Sequence, residues 1–340
     1  MIQSYRFKQA RELRALTQIE IATALGVDQS LVSLIERGLS TPRPDYVSAL
    51  ALHLKLPSAF FHKPVLYQFP VGSLAYRKLA RLSRTLEIQC HQYADVLFEL
   101  AESLLARVNA PALRLPRLSE DPVTAARITR AQLGLSPDQP IQHLLLAVER
   151  AGVLAIALPI AGDGLDGFST WAGGSRLLPV LVLGGTVSWE RRRFTTAHEL
   201  GHLVLHQSPQ GSVAQFEHEA NEFAAELLLP SEAMCHQFSG HIAMRDLAKL
   251  KQTWKVSFQT LVRRAFDLGL CTERQYRYFF EQLSALGWRR DEPGSHLMAI
   301  ERPRAVRKMV EILYGNPINY EELADESRLP AAMLRELLDH

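Results

Sequence analysis

Cysteine is scarce in this chain of 340 residues, which has three: Cys90, Cys235 and Cys271. They are odd in number, far apart and outside any Cys-x-x-Cys spacing, which excludes a disulfide framework and a thiolate zinc site. Reduced, mostly buried thiols are expected. Long apolar runs are missing as well, and the best, such as Leu177 to Leu183, fall far short of a membrane span. The first ten residues, MIQSYRFKQA, lack the apolar core of a signal peptide. A cytoplasmic protein without membrane contact is the expectation. Nor is there an excess of one charge, with 38 Lys and Arg against 36 Asp and Glu. A global polyanion-binding signature is excluded, so any contact with nucleic acid has to be local. There is no internal repeat and no low-complexity tract.

What is present suffices for two or three packed domains, since 47% of the residues are hydrophobic. The punctuation by glycine and proline suggests four segments. Residues 1–66 read as short helices separated by Gly26, Gly38 and the Pro42/Pro44 turn, with Pro57, Pro64 and Pro70 marking the exit. Residues 67–115 hold a linker and one long amphipathic helix. From Leu79 onward, Leu82, Leu86, Cys90, Tyr93, Leu97, Leu100 and Leu104 recur at spacings of three and four. Such a stripe serves a packed connector or, less readily, a dimer seam. Residues 116–285 begin with a helical segment and continue with β-type runs at Val153–Leu158, Phe168–Trp171 and Leu178–Leu183, punctuated by Gly162, Gly164, Gly167, Gly173 and Gly174. A small antiparallel sheet followed by helices from about Ser188 is expected. Residues 286–340 form a helical end with a turn at Gly315-Asn316-Pro317. The fold class is mainly α with a small sheet, α+β, beginning with an all-α domain.

The phrase WERRRFTTAHELGHLVLH carries the strongest chemistry. His198 and His202 sit four residues apart, which on a helix puts both imidazoles on one face, one turn apart. One zinc ion can be held by both, and a catalytic site then needs a third protein ligand with a position left for water. Glu199, beside the first histidine, is placed to take a proton from that water. Two histidines alone would more often be ordinary core residues. The context argues otherwise, because fourteen residues beyond His202 begins the phrase FEHEANEFAAELLLP, a second helix rich in acids. Glu217 is the preferred third ligand, since Asn221 four residues later shares its face and can hydrogen-bond a ligand histidine. Glu219 is its competitor, while Glu222 and Glu226 read as a solvated face. His206, one turn past His202, supports the ligands, binds substrate or is simply structural. His218, His236 and His241 show no ligand spacing.

In LTQIEIATALGVDQSLVSLIERG the apolar residues Ile19, Ile21, Leu25, Val27, Val32 and Ile35, with Ala22 at a close crossing and Gly26 at the turn, make a helix-turn-helix pattern. Asp28 can cap the second helix. Gln29, Ser30 and Ser33 then point outward at its start, where they can read base edges, and Thr17 and Gln18 can hold phosphates. Residues 1–65 hold eight Lys and Arg against five acids, a net of +3 that is compatible with DNA. A helical protein-interaction module is the competing reading. A later phrase of similar pattern, DLAKLKQTWKVSFQTLVRRAFDLG, reads as structural, with Ser257 as a cap and Trp254, Val256 and Leu261 as core.

Taken together, TAHELGHLVLH and EHEANEFAAELLLP resemble the ImmA/IrrE family of zinc metallopeptidases, and residues 7–60 resemble an XRE-type helix-turn-helix; DGFSTWAGG and GWRRDEPG fit the same fusion. The resemblance implies a gluzincin-like fold, zinc (or manganese) held by His198, His202 and Glu217, and Glu199 as the base, with Asn221 and His206 around them. It also implies endopeptidase action on a repressor protein in stress response or mobile-element control. An operator in double-stranded DNA and a homodimer are the further partners expected. Because the DNA reader is in the same chain, a second reading stands beside this one: a repressor or antitoxin-like regulator whose peptidase domain senses a metal or ligand and seldom cuts. Self-cleavage near Pro64 to Pro70 is a third.

Overall fold

The computed structural model describes residues 2–65, 69, 82–160, 165–173, 177–185, 188–207, 211–238, 243–296 and 298–339. Pro70, Leu79, Gly162, Gly164, Gly174 and His241, which entered the sequence reading, lie outside the described residues.

Four helices, α1 (Ser4–Leu13), α2 (Gln18–Leu25), α3 (Gln29–Glu36) and α4 (Pro44–Leu54), close with a short 3-10 turn (Ser58–His62) over Phe7, Leu13, Ile21, Val32, Leu50 and Phe61. Local chemistry sets their ends. Thr17 and Glu20 form a reciprocal capping box at the start of α2, and Gly26 ends it at a φ of 66°, where a side chain would be strained. Asp28 occupies the N-cap position of α3 without making the side-chain cap bond expected of it.

The amphipathic stripe becomes α5 (Arg84–Leu105), started by the hydroxyl of Ser83 accepting from the Leu86 amide. Cys90, Tyr93, Leu97, Leu100 and Leu104 are buried as expected, but Gln92, Ala94, Asp95, Phe98 and Ala101 on its other faces are buried too. A helix buried on several faces through its middle is a central strut, and most of the stripe packs within the chain. On one side α5 binds the N-terminal helices through polar contacts. The Asp95 carboxylate accepts from Tyr5 Oη at 2.8 Å, Gln9 Nε2 at 2.7 Å and the Phe69 amide at 2.8 Å. Gln92 donates to Glu12, and Arg6 pairs with Glu99 at 2.6 Å. Burial, with the charge of Asp95, pushes the Tyr5 phenol far above its ordinary value.

Beyond α6 (Pro122–Gln132) and α7 (Leu144–Arg150) lies a three-stranded sheet of β1 (Leu154–Ala157), β2 (Gly167–Ala172) and β3 (Leu178–Leu183) in the order β1-β3-β2. It is mixed, and this corrects the antiparallel expectation: β1 runs parallel to β3 with Leu154 beside Val180, while β2 is antiparallel with Thr170 beside Val180. The reason is burial. Both β1 and β3 are buried along their whole length, the habit of strands covered by helices on two faces, while β2 at the edge is only partly buried in its middle. One face, with Leu154, Ile156, Phe168, Val180 and Val182, shares a core with α5 and the C-terminal helices α14 (Ala305–Tyr314), α15 (Tyr320–Ser327) and α16 (Ala331–Asp339). The other, with Ala155, Leu181 and Leu183, lies under α8 (Trp189–Leu205) and α9 (Val213–Leu228).

Four further helices, α10 (Ser231–Gln237), α11 (Met244–Trp254), α12 (Phe258–Asp267) and α13 (Glu273–Ala285), complete that second core. Ser257 caps α12, and Trp254, Val256 and Leu261 are core residues, in line with the structural reading of that phrase. Cys90 and Cys271 are buried thiols and Cys235 is exposed. Among the described residues no helix is long and apolar enough to cross a membrane.

Two tests follow from this packing. Asp95→Ala strands two donors at the seam between α1 and α5 and the Phe69 amide beside it, and a loss of about 3 kcal/mol in stability is expected by urea unfolding; a change under about 0.5 kcal/mol would show the seam to be immaterial. At the start of α14, Glu149 accepts from the amides of Arg304 and Ala305, both at 2.9 Å. Burial nonetheless pushes its carboxyl up to about 7 from an ordinary 4.5. A raised acid stabilises the fold fully below the unfolded value, and that contribution fades as pH rises through the folded one. The unfolding temperature should therefore fall between about pH 5 and 8, and Glu149→Gln should flatten the slope.

Candidate functional site

The helix α8 is held from several directions before its histidines come into play. Ser188 caps it, Arg192 donates to the carbonyls of Gly184 and Gly185, and Arg193 reaches the carbonyls of Lys255 and Ile141 and the carboxylate of Glu301. Burial lowers the Arg192 guanidinium to about 10. Gly201 lies against Phe223 of α9, where an added Cβ would come within 3.0 Å of the ring. The missing side chain lets α9 approach α8 closely.

That approach brings Glu217 opposite the two histidines. His198 Nε2 and His202 Nε2 are 3.1 Å apart, and each is 3.4 Å from a carboxylate oxygen of Glu217. Donors lying 2.0–2.1 Å from one tetrahedral zinc ion are separated by about 3.3–3.4 Å, so the three groups have the spacing of a single ion's ligands. The histidines are 8% and 6% exposed, whereas the Glu217 side chain is 35% exposed, which leaves the cluster open on that side.

The surrounding hydrogen bonds aim the ring nitrogens. Asn221 Oδ1 accepts from His198 Nδ1 at 3.0 Å, which turns the lone pair of Nε2 toward the cluster. A longer relay does the same for His202. Glu219 accepts from His206 Nε2 at 2.8 Å, so the neutral His206 ring presents Nδ1 as an acceptor to His202 Nδ1 at 2.9 Å. His202 then directs the lone pair of its own Nε2 inward. Burial keeps His206 below its usual value despite Glu219, which favours the neutral form this relay requires. Against the raising effect of burial, bonds from His206 and Gln215 hold Glu219 below the usual carboxylate range. Glu219, the competitor to Glu217, thus stands behind His206 and outside the cluster.

Glu199 is 2% exposed, and its Oε2 lies 2.9 Å from Ser169 Oγ. Strand alternation explains the contact: Ser169 and Trp171 project from β2 toward α8, and Trp171 Nε1 donates to the Leu203 carbonyl at 3.2 Å. Ser169 was missed in the sequence because only the packing of β2 on α8 brings it there. One expectation is overturned outright. Glu226, read as solvated, is 1% exposed and clamped by Arg264 and by Arg127 at 2.9 Å, joining α9 to α12 and α6. Glu222 is half exposed beside His218, as expected of a surface pair. A cleft of about 670 Å³ opens next to the cluster, lined in part by Phe194, Asn221, Gln259, Thr260, Arg263 and Phe280.

In the N-terminal domain Gln29 and Ser30 are exposed at the start of α3, and Ser33 is half-buried a turn later. Gln29 donates to Gln18 at 2.6 Å, and Gln18 donates to Glu36, which Arg11 holds in turn. Thr17 is exposed, with its amide and hydroxyl directed to Glu20.

Two histidines and a glutamate converging from neighbouring helices, with a buried glutamate beside them and a helix-turn-helix elsewhere in the chain, define a metallopeptidase-type domain joined to a DNA-binding one. The comparisons agree. Residues 148–266 match the peptidase M78 family, an IrrE N-terminal-like domain, and residues 7–61 match the helix-turn-helix family. The chain is a fusion of an XRE-type helix-turn-helix with an ImmA/IrrE-type peptidase domain. No curated protein matches it. A solved structure described as a Mycobacterium tuberculosis transcriptional regulator is similar at 16% identity with a TM-score of 0.32, covering 50% of this chain and 51% of that one. The chain thus spans about half the length of that structure.

The relay makes a specific demand. His206→Phe removes the acceptor that fixes the His202 ring, and zinc affinity measured by chelator competition should fall 10- to 100-fold with the fold retained by circular dichroism. Unchanged affinity would show that His206 is only structural.

Proposed function

We propose that the protein is a DNA-binding regulatory zinc endopeptidase that cleaves a transcriptional repressor or a related regulator. The observation that carries this reading is the 3.1–3.4 Å triangle of donor atoms from His198, His202 and Glu217 with Glu199 alongside. Zinc bound by those three residues, with manganese as an alternative ion, would polarise the scissile carbonyl and lower the pKa of a water molecule. Glu199 takes the proton of the attacking water and passes it to the leaving amine. Ser169 holds the Glu199 carboxylate in place through its hydroxyl. Among the described residues the outer edge of β2 pairs with no strand, so an extended peptide can add there by backbone hydrogen bonds and lie across the cluster. The adjoining cleft, mixed in its lining, gives room for a substrate side chain. Gln29, Ser30 and Ser33 would face base edges of an operator, with Thr17 and Gln18 at the phosphates, and a homodimer suits a twofold operator.

A second reading, a regulator whose peptidase domain is a sensor, is favoured by the polar docking of the N-terminal helices onto α5, which ties the DNA reader to the rest of the chain. Glu199→Gln separates the two. It should retain zinc and DNA binding and lose cleavage of the cognate repressor by at least about 100-fold. Intact cleavage would remove Glu199 from the mechanism. If instead His198→Ala alters footprinting at the promoter and no neighbouring gene product is cut, the sensor reading replaces the peptidase one.

A further inference from the structure

The face of the sheet turned away from α8 bears a second cavity, of about 340 Å³. Apolar side chains wall it: Leu154 of β1, Leu178 of β3, Val108 beyond α5, Leu146 of α7, and Met309 and Ile312 of α14. The cavity opens to solvent at its rim, where Ile312 is exposed, and an apolar body laid against its walls would release the water that covers them. Its charged groups come from the end of α7 and the beginning of α14. Arg150, Arg304 and Lys308 line the cavity and are exposed. Glu149 is the acid among them, and the Arg304 and Ala305 amides already hold its carboxylate. Glu311 is shared between Arg307 and Lys308, which leaves the group with an excess of positive charge.

We propose that this cavity binds a small amphipathic anion, an apolar body ending in one carboxylate or similar group, at a site separate from the metal centre. The apolar body lies against Leu154, Leu178 and Met309, and the anionic end meets Arg150, Arg304 and Lys308. Charge complementarity selects the sign, and the apolar walls select the body. The site does not depend on the peptidase reading. Its position gives the occupant leverage: it touches β1, α14 and the loop leaving α5, the helix on which the DNA reader is docked.

The test uses the full chain with decanoate, below its micellar concentration, as the probe in titration calorimetry. Saturable binding of one equivalent is expected. Charge reversal by Arg150→Glu with Lys308→Glu should weaken it at least tenfold, as should replacing decanoate by decanol. Ala110→Trp, which fills the cavity from the loop after α5, should abolish it. Absence of saturable decanoate binding overturns the proposal, as does equal affinity for decanol or an affinity unchanged in both variants. If Ala110→Trp fails to fold, the charge-reversed variant, at two exposed positions, decides the matter alone.

Discussion

Phe223 resting on Gly201 is the contact on which the rest of the site depends. Two helices can bring side chains from opposite sides onto one point only if their axes lie close, and a methyl group at residue 201 would press on the ring at 3.0 Å. The acids of α9 would then recede from the imidazoles of α8. Everything around the pair reinforces the approach: the Arg264–Glu226 clamp fixes the far end of α9, and the Arg192 and Arg193 bonds fix the near end of α8. These clamps are buried charges, each costly if left unpaired, so they resist rearrangement more than they add to net stability.

Around the cluster the protein spends polar groups on orientation. A neutral imidazole can carry its proton on either nitrogen, and a metal ligand has to carry it on the distal one. Asn221 settles this for His198 in a single bond, while His202 needs the two-step chain through His206 to Glu219. The longer chain places a second titratable ring between His202 and the carboxylate of Glu219.

Much of this could be read from residue order, where spacing along one helix carries the information. His198 and His202 share a face because they are four apart, and Asn221 follows Glu217 at the same interval; the structure brings these side chains together as that spacing implies. The turn at Gly26 and the buried stripe of α5 are legible for the same reason. What escaped is what depends on pairing between distant segments. Ser169 meets Glu199 where β2 packs against α8, and Arg264 lies 38 residues from Glu226. An acid on a helix looks solvated until its partner is known. The direction of β1 was equally hidden, since an apolar run shows burial and not polarity of pairing.

The seam between the N-terminal helices and α5 sets directional bonds beside a continuous apolar core, with Tyr5 and Gln9 of α1 and the Phe69 amide all ending on Asp95. An apolar seam tolerates sliding, but a carboxylate holding three donors at fixed angles does not. The DNA reader is therefore set at one attitude to the body of the molecule. For two copies on a twofold operator, the distance between their recognition helices would be dictated by the shape of the whole chain, and half-site spacing would report on strain anywhere along the strut.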